Sequence, residues 1–182
     1  MRVYLCGSHA VGKSSLARYV SKKYNLPLIT ECARMVLSER ELSVDALRAD
    51  IDIVDSYQSE VFKRQFLEEQ KYKDFVADRS NIDTLAYSSQ HSRIASIQFA
   101  DPILKPYIDS IKAPSSFVFF VRPSKATLSE DGVREKIDWD GIIAIDAMVK
   151  LLLEMFEIRY FQINTSSFQE RIRIIDSVLS LI

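Results

Sequence analysis

Eight consecutive residues near the amino terminus, Gly7-Ser8-His9-Ala10-Val11-Gly12-Lys13-Ser14, satisfy the spacing G-x-x-x-x-G-K-[ST] in full. Glycines at both ends let the backbone curl until several N–H groups face one concavity, and the helix that follows adds its partial positive charge. Lys13 is then expected to reach the β- and γ-phosphates of a nucleoside triphosphate, and the Ser14 hydroxyl to coordinate Mg²⁺. The expected phosphate-binding set runs through Gly7, Ser8, His9, Ala10, Val11, Gly12, Lys13, Ser14 and Ser15, with ATP and Mg²⁺ as the cofactors. His9 occupies a variable position of this loop, where a solvent-facing or backbone-contacting side chain is the simplest expectation.

Two further constellations could complete a reaction. Phe75-Val76-Ala77-Asp78-Arg79-Ser80 reads as an apolar strand ending in polar residues. A carboxylate at such a strand end can take a proton from an attacking hydroxyl or hold a Mg²⁺-bound water, which makes Asp78 both a catalytic and a metal candidate. Arg79 can clamp an acceptor or a phosphate oxygen. The competing role for Asp78 is an N-cap of the next helix. Glu31 and Arg34, three residues apart, share one face near a helix start, where they either bind a polar acceptor or pair with each other. Later, Asp131-Gly132-Val133-Arg134 opens a charged stretch that runs to Gly141. Phosphoryl transfer must exclude water, and a mobile arginine-bearing flap over about residues 124–140 would do so, with Arg134 as its catalytic arginine and Arg122 as the substitute.

These groups need a frame that brings them to one edge. Apolar runs at Arg2–Cys6, Pro27–Ile29, Phe75–Ala77, Ser116–Val121 and Arg159–Ile163 read as strands. Helices are expected over about Lys13–Tyr24, Glu31–Glu39, Ile51–Tyr72, Asp83–Ser92, Leu104–Ile111, Asp140–Phe156 and Phe168–Leu181. Strands separated by helices imply an α/β fold in three layers, with a parallel sheet of about five strands and helices on both faces. Ligands of such sheets bind beyond the carboxyl ends of the strands, where the glycine loop also falls.

The composition suits one domain. The chain has 182 residues, 47% hydrophobic and 27% charged, with 24 Lys plus Arg against 25 Asp plus Glu and a net charge of −1. That balance disfavours a nucleic-acid partner held by a global field. The apolar runs are too short to cross a bilayer, and the amino terminus lacks the pattern of a leader, so a cytoplasmic protein is expected. Cys6 and Cys32 make no disulfide framework, and His9 and His91 are too few for a zinc-type cluster. The chain has only four glycines, and two of them frame the phosphate loop.

In order and spacing, the phosphate loop, Glu31-Cys32-Ala33-Arg34, the run from Asp78 to Tyr87 and Asp131-Gly132-Val133-Arg134 resemble one group of proteins. These are the small bacterial and phage AAA-domain P-loop proteins related to nicotinamide riboside kinase and, more distantly, to deoxynucleoside and thymidylate kinases. The resemblance implies a P-loop kinase-like fold over residues 1–182, with Asp78 as catalytic carboxylate and Arg134 as lid arginine. It also implies an acceptor pocket between the helices after the second and third strands, where Glu31, Arg34, Arg79 and Asp83 would bind substrate. At Asp78-Arg79-Ser80 the chain is closer to the deoxynucleoside-kinase pattern than to the riboside-kinase one. The expected activity is transfer of the γ-phosphoryl of ATP to a nucleoside-like or nucleotide acceptor. A nucleotide-binding regulator, a simple ATPase and a kinase acting on a nucleic-acid hydroxyl stand as alternatives, and homodimerisation is left open.

Overall fold

The computed structural model describes residues 1–43, 46–47, 49–125 and 139–181. Five strands, β1 (Arg2–Cys6), β2 (Leu28–Ile29), β3 (Phe75–Asp78), β4 (Ser116–Val121) and β5 (Phe161–Ile163), form one parallel sheet in the order β2-β3-β1-β4-β5. β1 is central because it is apolar on both faces. Alternation along it sends Tyr4 and Cys6 into one core and Val3 and Leu5 into the other. The first core packs under α2 (Cys32–Glu39), α3 (Ile51–Gln70), α4 (Asn81–His91), α6 (Leu104–Ile111) and α7 (Trp139–Met155). The second packs under α1 (Lys13–Tyr24) and α8 (Phe168–Leu179). The three-layer α/β architecture read from the sequence is therefore present.

Register decides where chemistry can occur. Leu5 pairs with Asp78 on one side and with Phe119 on the other, so β1, β3 and β4 end level with one another. The glycine loop, Asp78 and Arg122 consequently leave the sheet at the same edge. A short helix, α5 (Ala95–Phe99), was not expected from the periodicity, since five residues span too little to show a period. β5 begins at Phe161 rather than at Arg159, because only Phe161, Gln162 and Ile163 find partners on β4. Most of the expected lid, including Arg134, lies outside the described residues. Next to it, Lys125 Nζ sits 5.4 Å from the ring centroid of Trp139. Among the described residues no helix is long and apolar enough to cross a membrane.

Candidate active site

The loop between β1 and α1 is held in place from its outer side. Gly7 has φ 140°, and a Cβ there would lie 2.4 Å from the Val121 carbonyl oxygen, so no other residue fits without moving β4. Ala10 and Gly12 are also left-handed, at φ 59° and 86°. Asp83 Oδ1 accepts the Gly7 N–H at 2.7 Å, and the Tyr87 hydroxyl accepts the His9 N–H at 3.0 Å. The same hydroxyl lies 2.9 Å from His9 Nδ1. Arg171, from the first turn of α8, donates Nη1 to the Val11 carbonyl. The Lys13 ammonium folds back on the loop, donating to the Gly7 carbonyl at 2.8 Å and to the Ser8 carbonyl. Burial and then the nearby Arg79 guanidinium bring its pKa down to about 8, against the pull of Asp83, Asp78 and Glu31.

Asp78 ends β3 at this edge with only 6% of its surface exposed. It does not cap α4. That role falls to Ser80, whose Oγ accepts the Ile82 N–H at 3.2 Å while Asp83 Oδ2 accepts the Ser80 N–H at 2.9 Å. Asp83 therefore lines the pocket but commits its carboxylate to Gly7 and to the helix cap. Between Asp78 and Ser80, Arg79 is held at φ 97°, a conformation unfavourable for a residue with a Cβ. This turn aims its guanidinium at Glu31, 2.7 Å from Nε to Oε1, and over the Tyr87 ring at 5.2 Å. Arg34 Nε meets the other Glu31 oxygen at 2.8 Å, although Arg34 itself is 69% exposed. Glu31 thus faces both ways: it pairs outward with Arg34 and inward with Arg79. Its burial favours the neutral acid, but the Arg79 and Arg34 guanidiniums and the Lys13 ammonium prevail and hold the carboxyl below its usual range.

These residues rim a cavity of about 460 Å³ between α2, α3 and α4, which includes His9 of the phosphate loop in its wall. Its polar end carries Glu31, Arg79, Asp83 and Tyr87, and Leu37, Leu47, Ile51, Val54 and Val61 supply apolar wall. On the other side of the loop, Arg122 forks onto Asp146 of α7, with Nε to Oδ1 at 3.0 Å and Nη2 to Oδ2 at 2.8 Å. This fork ties it to α7, and 31% of its side chain stays exposed. Burial raises the Asp146 carboxyl despite that pairing.

Sequence reasoning gave no role to Tyr87, His91, Gln58 or Arg171. A signal existed for two of them: Asp83, Tyr87 and His91 recur at spacing four and so share one face of α4. Gln58 sits on the pocket face of α3 among Val54, Tyr57 and Val61. For Arg171 there was none, because its partner Val11 lies 160 residues away.

The strand order, the loop geometry and the edge shared with Asp78 define a P-loop protein with the fold of the nucleotide kinases. The chain belongs to the AAA domain family, whose model matches residues 2–171. Among solved structures it is similar to NadR in complex with NR, at 16% identity and TM-score 0.73. That alignment covers 97% of this chain and 50% of NadR. It is also similar to deoxyadenosine kinase from M. mycoides, at 14% identity and TM-score 0.69 over the whole of both chains. YorR from Bacillus subtilis, solved with phosphorylated GDP, aligns at 16% identity and TM-score 0.65 over 100% of this chain and 95% of its own. At such identities the likeness is one of fold. No curated protein matches the sequence.

Proposed function

We propose that the chain is an ATP-dependent kinase that moves the γ-phosphoryl group to a nucleoside-like or nucleotide small molecule held between α2, α3 and α4. The observation that carries this reading is the cavity itself. It opens beside the phosphate loop, shares His9 with it, and is large enough for a small-molecule ligand. Glu31 is shared by Arg79 and Arg34, so one positive charge is left over at this rim, and Arg79 Nη1 is buried without a partner, which suits an acceptor carrying an anionic or hydrogen-bond-accepting group.

In this reading the loop N–H groups and Lys13 hold the β- and γ-phosphates. Asp78 takes the proton of the attacking hydroxyl or orients a metal-bound water. Mg²⁺ fits the oxygens on offer. The Ser14 hydroxyl stands in the first turn of α1 and the Asp78 carboxylate at the same edge, while no group of three or more His, Cys, Asp or Glu that could hold a metal occurs among the described residues. A Mg²⁺ held by one or two protein oxygens, with phosphates and waters completing its shell, suits such a donor set. Bound there, the ion would neutralise phosphate charge. Arg134 is proposed as the lid arginine that meets the transferred group.

The test is acceptor-dependent ADP release across a panel of nucleosides and nucleotides, followed by single-turnover transfer with Asp78→Asn. Transfer should fall by roughly 10²-fold or more while ATP still binds. A variant within about threefold of the parent would remove Asp78 from the chemistry. ATP consumption that is independent of every acceptor would identify an ATPase. Binding without turnover would identify a regulator.

A further inference from the structure

Arg171 is 2% exposed, yet among the described residues no carboxylate pairs with it. Arg79 and Arg122 each have a carboxylate in contact, Glu31 (shared with Arg34) and Asp146. Arg171 instead donates Nε to the Thr165 carbonyl at 2.6 Å and Nη1 to the Val11 carbonyl, and its Nη2 is buried with no partner. Its guanidinium lies directly behind the loop, where a Cβ on Gly12 would come within 3.3 Å of Nη1. Burial alone pulls its pKa down, and no acid offsets the cost. A buried cation without a counter-charge is expensive, and a fold that needed only a brace between the loop and α8 could use a neutral donor.

We propose that Arg171 is a positioning residue for the nucleotide, whose counter-charge is the polyphosphate bound on the far face of the loop. Two effects combine. The C=O and N–H of a planar trans peptide point in opposite directions, so gripping the Val11 carbonyl from behind turns the Gly12 N–H toward the phosphate side. The unmatched positive charge then adds to the field that this N–H and Lys13 create, in a region shielded from water. The inference rests on the loop being a triphosphate site and is independent of whether phosphoryl transfer follows.

The experiment is calorimetric titration of the 182-residue chain, Arg171→Met and Arg171→Lys with ATP, ADP and inorganic triphosphate, together with thermal melts of each unliganded protein. The Met variant should bind ATP and inorganic triphosphate at least tenfold more weakly, with a smaller loss for ADP, because the effect scales with ligand charge. The Lys variant, which keeps the charge and loses the fork, should stay within about threefold of the parent. A simple brace predicts the reverse: both variants lose thermal stability alike, and affinity for ATP and ADP changes equally or not at all. That pattern would overturn the proposal, as would a folded Met variant with unchanged affinities. Failure of the parent itself to bind ATP would overturn both this inference and the proposed function.

Discussion

Raising the pH should strip the site of nucleotide affinity through Lys13. Its ammonium is buried against the Gly7 and Ser8 carbonyls and near Arg79, which brings its pKa to about 8. Polyphosphate at the loop favours the charged amine, so the pKa in the complex lies above that of the free protein and binding takes up a proton. The sign follows: affinity is fully present below about pH 8 and declines above it, by about tenfold per pH unit until the pKa of the complex is reached. Near pH 8 about half a proton should be absorbed per ATP bound, and near pH 9 about 0.9. The terminal phosphate of ATP is already ionised there, so the titration belongs to the protein. Calorimetry in two buffers of different ionisation enthalpy measures the uptake directly. An uptake near zero at pH 9, with an affinity flat from pH 7 to 10, would refute the assignment of Lys13 as the buried phosphate-binding cation.

Two perturbations of the frame have definite signs. Glu69 is buried between Tyr4 and Gln65, and burial pushes its carboxyl up to about 8 despite hydrogen bonds from Gln65, Tyr4 and Tyr107. The unfolded chain ionises near the ordinary value while the folded one stays protonated, so stability should fall between about pH 4.5 and pH 8 by up to about 5 kcal/mol. Glu69→Gln should flatten that slope in urea unfolding, and parallel curves for the two proteins would show that Glu69 is not its source. Gly7→Ala should cost about 3 kcal/mol or more and displace the loop, because its Cβ would stand 2.4 Å from the Val121 carbonyl oxygen. A thermal melt and an ATP titration indistinguishable from the parent would contradict the close approach.

The strands and long helices were legible because each carries its own period. Tyr4 and Cys6 alternate with Val3 and Leu5, and Val54, Val61 and Gln65 recur along α3. The phosphate loop was legible because its spacing is local. What the sequence hid was set by strand order. Placing β3 between β2 and β1 brings Arg79 to Glu31 across 48 residues and Asp83 to Gly7 across 76, and no periodicity encodes either meeting. The sequence offered Asp78 as the cap of α4, whereas the cap is Ser80 with Asp83, and the Asp83 carboxylate also secures Gly7.

The cavity divides its labour between two sets of elements. Its polar rim, Asp83 and Tyr87 above all, is wired to the phosphate loop. The apolar residues Leu37, Ile51, Val54 and Val61 come from α2 and α3, and the hydrogen bonds that secure the loop come from Asp83, Tyr87 and Arg171 instead. Substitutions among those apolar residues can therefore reshape the cavity while the hydrogen bonds that hold the loop stay in place. If the cavity takes the acceptor as proposed, a lineage built on this frame is free to exchange one acceptor for another by single side-chain steps that leave the loop untouched.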